Sequence, residues 1–268
     1  MPGAWFEDAS LRGTCCAQDG SSSEANGRML VYLPAGYRLG IAWPLVVVLH
    51  GWGQKPEDWR QHTAIAELAD QAGVVLALPD MGRTVYETCF YPETVLRWNR
   101  MGGLPWVSSV VVPAIRARCS VSDKPSEVAV LGVSTGGRGA VRLCATTNLF
   151  GFCASLSGTY DLGVLDKSDF EYRIHAQVFG PRDRFPDRWR DEDCTRPDHL
   201  QALAAAPIYL VHGEQDKQVD IRQLRSFRKQ LEGVHPNPSI VEVPQAGHGW
   251  EFWSSQLAGV FEHLEASR

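Results

Sequence analysis

Six short apolar runs recur along the chain: "PLVVVLH" (44–50), "VVLALPD" (74–80), "SEVAVLGV" (126–133), "GFCASLSG" (151–158), "APIYLVHG" (206–213) and "SIVEVP" (239–244). Apolar positions in them are mostly continuous rather than alternating, which predicts strands covered on both faces. "RMLVYLPAGY" has the same strand character and stops at Pro34-Ala35-Gly36, after an exposed turn over 19–28. Between the runs lie stretches with apolar residues at threes and fours. "PEDWRQHTAIAELADQAG" (56–73) opens with Pro56, Glu57 and Asp58 and ends at Gly73, so it predicts one capped helix. Further helices are predicted over 105–119, 135–148, 221–233 and 249–266.

Strand and helix alternate over most of the 268 residues. That order predicts a single α/β domain, a mostly parallel central sheet with helices on both faces. Active sites in such sheets lie beyond the carboxyl ends of the strands. His50, Asp80, Ser134 and Asp216 all stand at such ends.

Ser134 sits in "VLGVSTGGRGA" (130–140), between Gly132 and Gly136 and between a predicted strand and a predicted helix. This is G-x-S-x-G in the context of a nucleophile elbow, a sharp turn that exposes the serine oxygen. A serine hydroxyl needs a base, usually an imidazole oriented by a carboxylate. Downstream, "YLVHGEQDKQV" offers Glu214 and Asp216 after one strand, and "VPQAGHGWEFW" offers His248 after the last. The chain order Ser134, Asp216, His248 is the one that belongs to this elbow, with Glu214 as the rival acid. Oxyanion donors are expected at the backbone N–H of Thr135 and, from the "LHGWG" turn (49–53), of Trp52.

Together "LVVVLHGWG", "GVSTGGRGA", "ASLSGTYD", "LVHGEQD" and "AGHGWEFW" resemble the α/β-hydrolase superfamily, in the branch that includes esterase D (S-formylglutathione hydrolase) and the feruloyl esterases. The likeness covers about residues 28–266. It implies a serine esterase without metal or organic cofactor, with Ser134, Asp216 and His248 as triad and Trp52 and Thr135 as oxyanion donors. His50 sits where family members use histidine to brace the oxyanion loop. Two departures stand out. Thr135 follows the serine where many relatives carry Met or another apolar residue, and 159–206 matches no family motif. A thioesterase or acyltransferase would use the same triad, and a silent hydrolase-fold binding module is the alternative of another class.

Two long segments are candidate lid or substrate loops, 81–106 and 159–206. The first carries Tyr86, Phe90, Tyr91, Trp98 and Trp106. Its aromatic side chains either wall an apolar pocket or pack as a small satellite core. Tyr86, Trp98, Tyr160 and Trp250 are the candidate substrate-binding residues.

Composition narrows the partners. Hydrophobic residues at 44% and charged residues at 21% are ordinary for a globular chain. A net charge of -5 gives no basic surplus, so a small-molecule ester rather than nucleic acid is the expected partner. The longest apolar run is too short to cross a bilayer, and no basic segment followed by an apolar one opens the sequence. Seven cysteines, an odd number without C-x-x-C, predict reduced structural thiols and a cytoplasmic location. The remaining histidines show no metal-ligand spacing.

Overall fold

A computed structural model describes residues 2–92, 94 and 102–268, and its strands join in one eight-stranded sheet. In chain order these are β1 (Ala4–Cys16), β2 (Ser22–Leu33), β3 (Leu45–Leu49), β4 (Val75–Pro79), β5 (Val128–Val133), β6 (Phe152–Leu156), β7 (Ile208–Gly213) and β8 (Ser239–Val243). Their order across the sheet is β1-β2-β4-β3-β5-β6-β7-β8. The hairpin β1–β2 is antiparallel and joins β4 antiparallel, while β3 to β8 run parallel.

The helices are α1 (Pro56–His62), α2 (Ile65–Ala72), α3 (Gly103–Trp106), α4 (Val112–Arg118), α5 (Thr135–Thr146), α6 (Phe170–Phe179), α7 (Pro186–Asp191), α8 (Pro197–Leu203), α9 (Arg222–Leu231) and α10 (Trp250–Ala266). A π-helical turn, Val107–Val111, joins α3 to α4. In β3 the side chains of Leu45, Val47 and Leu49 enter one core, shared with α4, α5, α8 and α9. Val46 and Val48 enter the other, shared with α1, α2 and α10. A continuous apolar strand is thus the direct consequence of two covered faces. Each fully buried Val or Leu there contributes about 1.5–3 kcal/mol.

Three features depart from the sequence expectations. Residues 19–28 are more than a turn, since β2 already begins at Ser22 and pairs with the long edge strand β1. The helix expected over 56–73 is two helices. Thr63 breaks it with extended backbone, its hydroxyl donating to Trp59 O and accepting from Ile65 N–H. The segment 159–206 contains α6, α7 and α8. With Val85 and Tyr91 of the loop after β4, residues of α6 and α7 form a satellite cluster around Phe179 and Trp189, against which Trp52 packs.

Candidate active site

The sheet brings the site together by register. β3 and β5 are neighbours, with Leu49 opposite Gly132, so the loop after β3 meets the turn after β5. β7 and β8 are likewise paired, with Gly213 opposite Val243. Gln215 N–H donates to Ala246 O at 2.9 Å, which ties the loops carrying Asp216 and His248.

Ser134 has φ 55° and ψ −126°, a left-handed conformation costly for a residue with a Cβ. Its N–H is held by Leu156 O at 2.8 Å, while the turn packs too tightly for side chains on either side. A Cβ on Gly132 would stand 2.1 Å from Gly136 O, and one on Gly136 would stand 2.4 Å from Leu49 O. Both glycines are therefore required by close approach.

From this serine a hydrogen-bonded line runs inward. Ser134 Oγ donates to His248 Nε2 at 3.1 Å, and His248 Nδ1 donates to Asp216 Oδ2 at 2.6 Å. The other carboxylate oxygen accepts from the N–H groups of Gln218 and Val219, each at 2.9 Å. Burial alone would raise the Asp216 carboxyl. Hydrogen bonds from His212 and His248 outweigh it and hold the group well below the usual carboxylate range. Glu214, the rival acid, lies elsewhere: it is exposed and faces Arg225 at 3.9 Å. His212 is a group that sequence reasoning missed. It is fully buried, donates from Nε2 to Val219 O at 2.8 Å and stands 3.4 Å from Asp216 Oδ2. Its position four residues before Asp216 was the available signal.

Beside the serine runs the loop 50–54. A Cβ on Gly51 would lie 3.0 Å from Ser134 Cβ. His50 is buried and its ring braces this loop: Met81 N–H donates to Nε2 at 2.8 Å, which leaves the proton on Nδ1 to donate to Gly51 O at 2.8 Å. Burial lowers the His50 pKa, in keeping with this neutral tautomer. Among the described residues, neither Trp52 N–H nor Thr135 N–H has a hydrogen-bond acceptor. Thr135 begins α5, where the first N–H groups have no partner within the helix.

The candidate substrate residues divide. Tyr86 and Tyr160 do not face an open site, since both are completely buried. Tyr86 lies against α5 and donates its hydroxyl to His50 O, while Tyr160 stacks on Phe227 and shares a 2.7 Å hydrogen bond with Ser155 Oγ. Of the other aromatic residues in 81–106, Tyr91 joins the satellite cluster and Trp106 the main core. Packing thus accounts for all four, because each ring finds an apolar interior within reach of its backbone. Trp98 lies outside the described residues. Trp250 is half-buried, stacked on His62 at 5.5 Å and edge-on to Trp59 and Trp253.

A mostly parallel eight-stranded sheet between two helical layers, with this elbow at its carboxyl edge, defines an α/β-hydrolase. The sequence matches the family described as "Putative esterase" over residues 21–264, and the chain belongs to it. It is an esterase, a carboxylic ester hydrolase. The chain is 26% identical over 228 residues to an acetyl esterase of Caldicellulosiruptor saccharolyticus, covering 81% of each. In fold it is similar to FphF, a fluorophosphonate-binding serine hydrolase of Staphylococcus aureus, with TM-score 0.76, 15% identity and 99% of both chains covered. It is similar also to an S-formylglutathione hydrolase of Agrobacterium tumefaciens, with TM-score 0.69, 16% identity and 99% of both chains covered. Among the described residues no helix is long and apolar enough to cross a membrane.

Proposed function

We propose that the chain hydrolyses its ester through an acyl-enzyme, with Ser134 as nucleophile, His248 as base and Asp216 as the acid that fixes the imidazole. One observation carries this reading: the unbroken line of 3.1 Å and 2.6 Å hydrogen bonds that starts on a serine in strained backbone. Ser134 Oγ attacks the carbonyl carbon and its proton passes to His248 Nε2. The carbonyl oxygen becomes an oxyanion, received by the N–H groups of Trp52 and Thr135. Collapse expels the alcohol, which takes the proton from Nε2, and water then repeats the sequence on the acyl-serine. Asp216, fully supplied with donors and ionised, keeps Nδ1 protonated throughout and stabilises the imidazolium.

The relative named acetyl esterase makes acetyl esters the first substrates to try. Trp250, half-buried and two residues from His248, is the described aromatic side chain we place at the substrate. All seven cysteines are free, which supports a reducing, cytoplasmic setting.

The test is a fluorophosphonate probe together with 4-nitrophenyl esters of graded chain length. Wild-type protein is expected to be labelled and to release 4-nitrophenolate, and Ser134→Ala to do neither. An unlabelled, inactive wild type, or an active Ser134→Ala, overturns the reading.

A further inference from the structure

Four non-glycine residues among those described have positive φ: Tyr86, Ser134, Ser157 and Gln245. Strained backbone of this kind is held by its surroundings and gathers at functional sites. Ser134 has its place in the chemistry above. Tyr86, at φ 55° and completely buried, does not.

Its surroundings show what the strain secures. Tyr86 N–H donates to Thr84 Oγ1 at 2.8 Å, and that hydroxyl donates to Glu87 Oε2 at 2.8 Å, so the turn is fixed from within. The ring then passes over α5 where there is no side chain: a Cβ on Gly139 would stand 2.4 Å from Tyr86 Cγ. At the far end the hydroxyl donates to His50 O at 3.0 Å.

That carbonyl belongs to the peptide unit His50–Gly51, whose N–H donates to Gln54 Oε1 at 2.8 Å. The next unit, Gly51–Trp52, is held by its own carbonyl, which accepts from His50 Nδ1 at 2.8 Å and from Gln54 N–H at 3.1 Å. A trans peptide is planar, with N–H and C=O pointing in opposite directions. Fixing the Gly51 carbonyl therefore aims the Trp52 N–H, and fixing the plane before it removes the remaining freedom of Gly51. His50 and the Gln54 N–H hold the second plane; Tyr86 at the carbonyl and the Gln54 side chain at the N–H hold the first.

We infer that Tyr86 is a positioning residue for the oxyanion site: its hydroxyl locks the His50–Gly51 peptide so that the Trp52 N–H meets the developing oxyanion. The inference rests on Trp52 N–H being one of the two donors. The hydroxyl touches no substrate, so its effect must appear in the transition state rather than in ground-state binding.

The test is Tyr86→Phe, which keeps the ring on α5 and deletes only the donor. With 4-nitrophenyl acetate we expect kcat to fall about tenfold, less than the 10²–10³ cost of deleting an oxyanion donor outright. KM should stay near wild type, while the His50 carbonyl left without its donor lowers the melting temperature by a few degrees without unfolding the protein. Affinity for a trifluoromethyl ketone, whose adduct with the serine carries the oxyanion, should fall by the same factor as kcat/KM. Unchanged kcat and unchanged ketone affinity in a folded Tyr86→Phe overturn the proposal, as does a loss confined to stability. Should Tyr86→Phe fold poorly, Thr84→Val loosens the same residue at its backbone anchor and must show the same split between kcat and KM; its absence is equally fatal. Wild-type labelling by fluorophosphonate and its loss in Ser134→Ala are read in parallel. They separate failure of this inference from failure of the serine-esterase mechanism itself.

Discussion

Trp253 stands perpendicular to His248, the ring centroids 4.9 Å apart at 82°, and its indole N–H donates to Ser157 Oγ at 3.1 Å. Ser157 has positive φ and is fully buried just beyond the carboxyl end of β6. The first turn of α10 thus packs an indole ring against the imidazole. Replacing Trp253 with Phe retains part of that packing and leaves the Ser157 hydroxyl without its donor. The expected outcome is a stability loss of about 1–3 kcal/mol, by the cost of an unpaired buried polar group, and a lower kcat. Urea unfolding and steady-state kinetics check the two together.

Loss of the nucleophile should be indistinguishable from loss of the whole unit. Ser134→Ala is expected to abolish turnover of 4-nitrophenyl acetate with the circular dichroism spectrum unchanged. Adding His248→Ala should make it hardly worse, because the two groups act together. A double variant far below both single variants would show that they act independently.

The two carboxylates after β7 separate cleanly by amide substitution. Asp216→Asn should fold and lose on the order of 10⁴ in kcat, since the amide no longer holds the productive tautomer. Glu214→Gln should cost little, because its side chain is exposed and faces Arg225. Kinetics that reversed this order would move the acid to Glu214.

Glu171, on α6, is completely buried, and that burial, with the nearby Asp216 charge adding to it, pushes its carboxyl up to about 7 despite the hydrogen bond from Thr159. In the unfolded chain it titrates near 4.3. Between these values the folded protein binds more protons than the unfolded one, so this group's contribution to stability declines as pH rises through the window. Glu171→Gln removes the titration. Its stability should match wild type near pH 4 and exceed it by about 2–4 kcal/mol at pH 8. Thermal unfolding across that range checks the difference, which should close on the acid side.

The satellite cluster is bolted to α5 by buried charge. Arg142 meets Glu192 Oε2 at 2.8 Å and Thr88 Oγ1 at 2.9 Å, with both Arg142 and Glu192 only 1% exposed. Arg142→Met leaves the Glu192 carboxylate with Arg138, 3.8 Å from Oε2, as its remaining cation and should destabilise the fold by about 3–5 kcal/mol, read from denaturant midpoints. A change below 1 kcal/mol would mean that the pair is not needed to hold this region.

Local signals made much of this molecule legible from residues alone. A strand covered on both faces must be apolar throughout, so β3 to β7 announce themselves as runs. An elbow that lets Gly132 and Gly136 touch neighbouring backbone needs bare α-carbons, so the G-x-S-x-G around Ser134 is visible too. Chain order then brings Asp216 and His248 to the ends of adjacent parallel strands, where the structure joins them. What escaped was decided by distant contacts. β1 is an edge strand with most of its side chains exposed, so no apolar period marks it. α6 and α7 bury Tyr172, Phe179 and Trp189 in a cluster of their own, and the polar residues between them, with Phe170 exposed, mask the period. Tyr86 and Tyr160 looked like pocket walls because an aromatic residue in a connection has no local cue to its direction. Only the fold shows Tyr86 crossing to Gly139 and reaching His50 O, a contact between residues far apart in sequence. Periodicity reports which face of an element is buried. Where a loop side chain ends is set by whatever interior the folded chain places beside it.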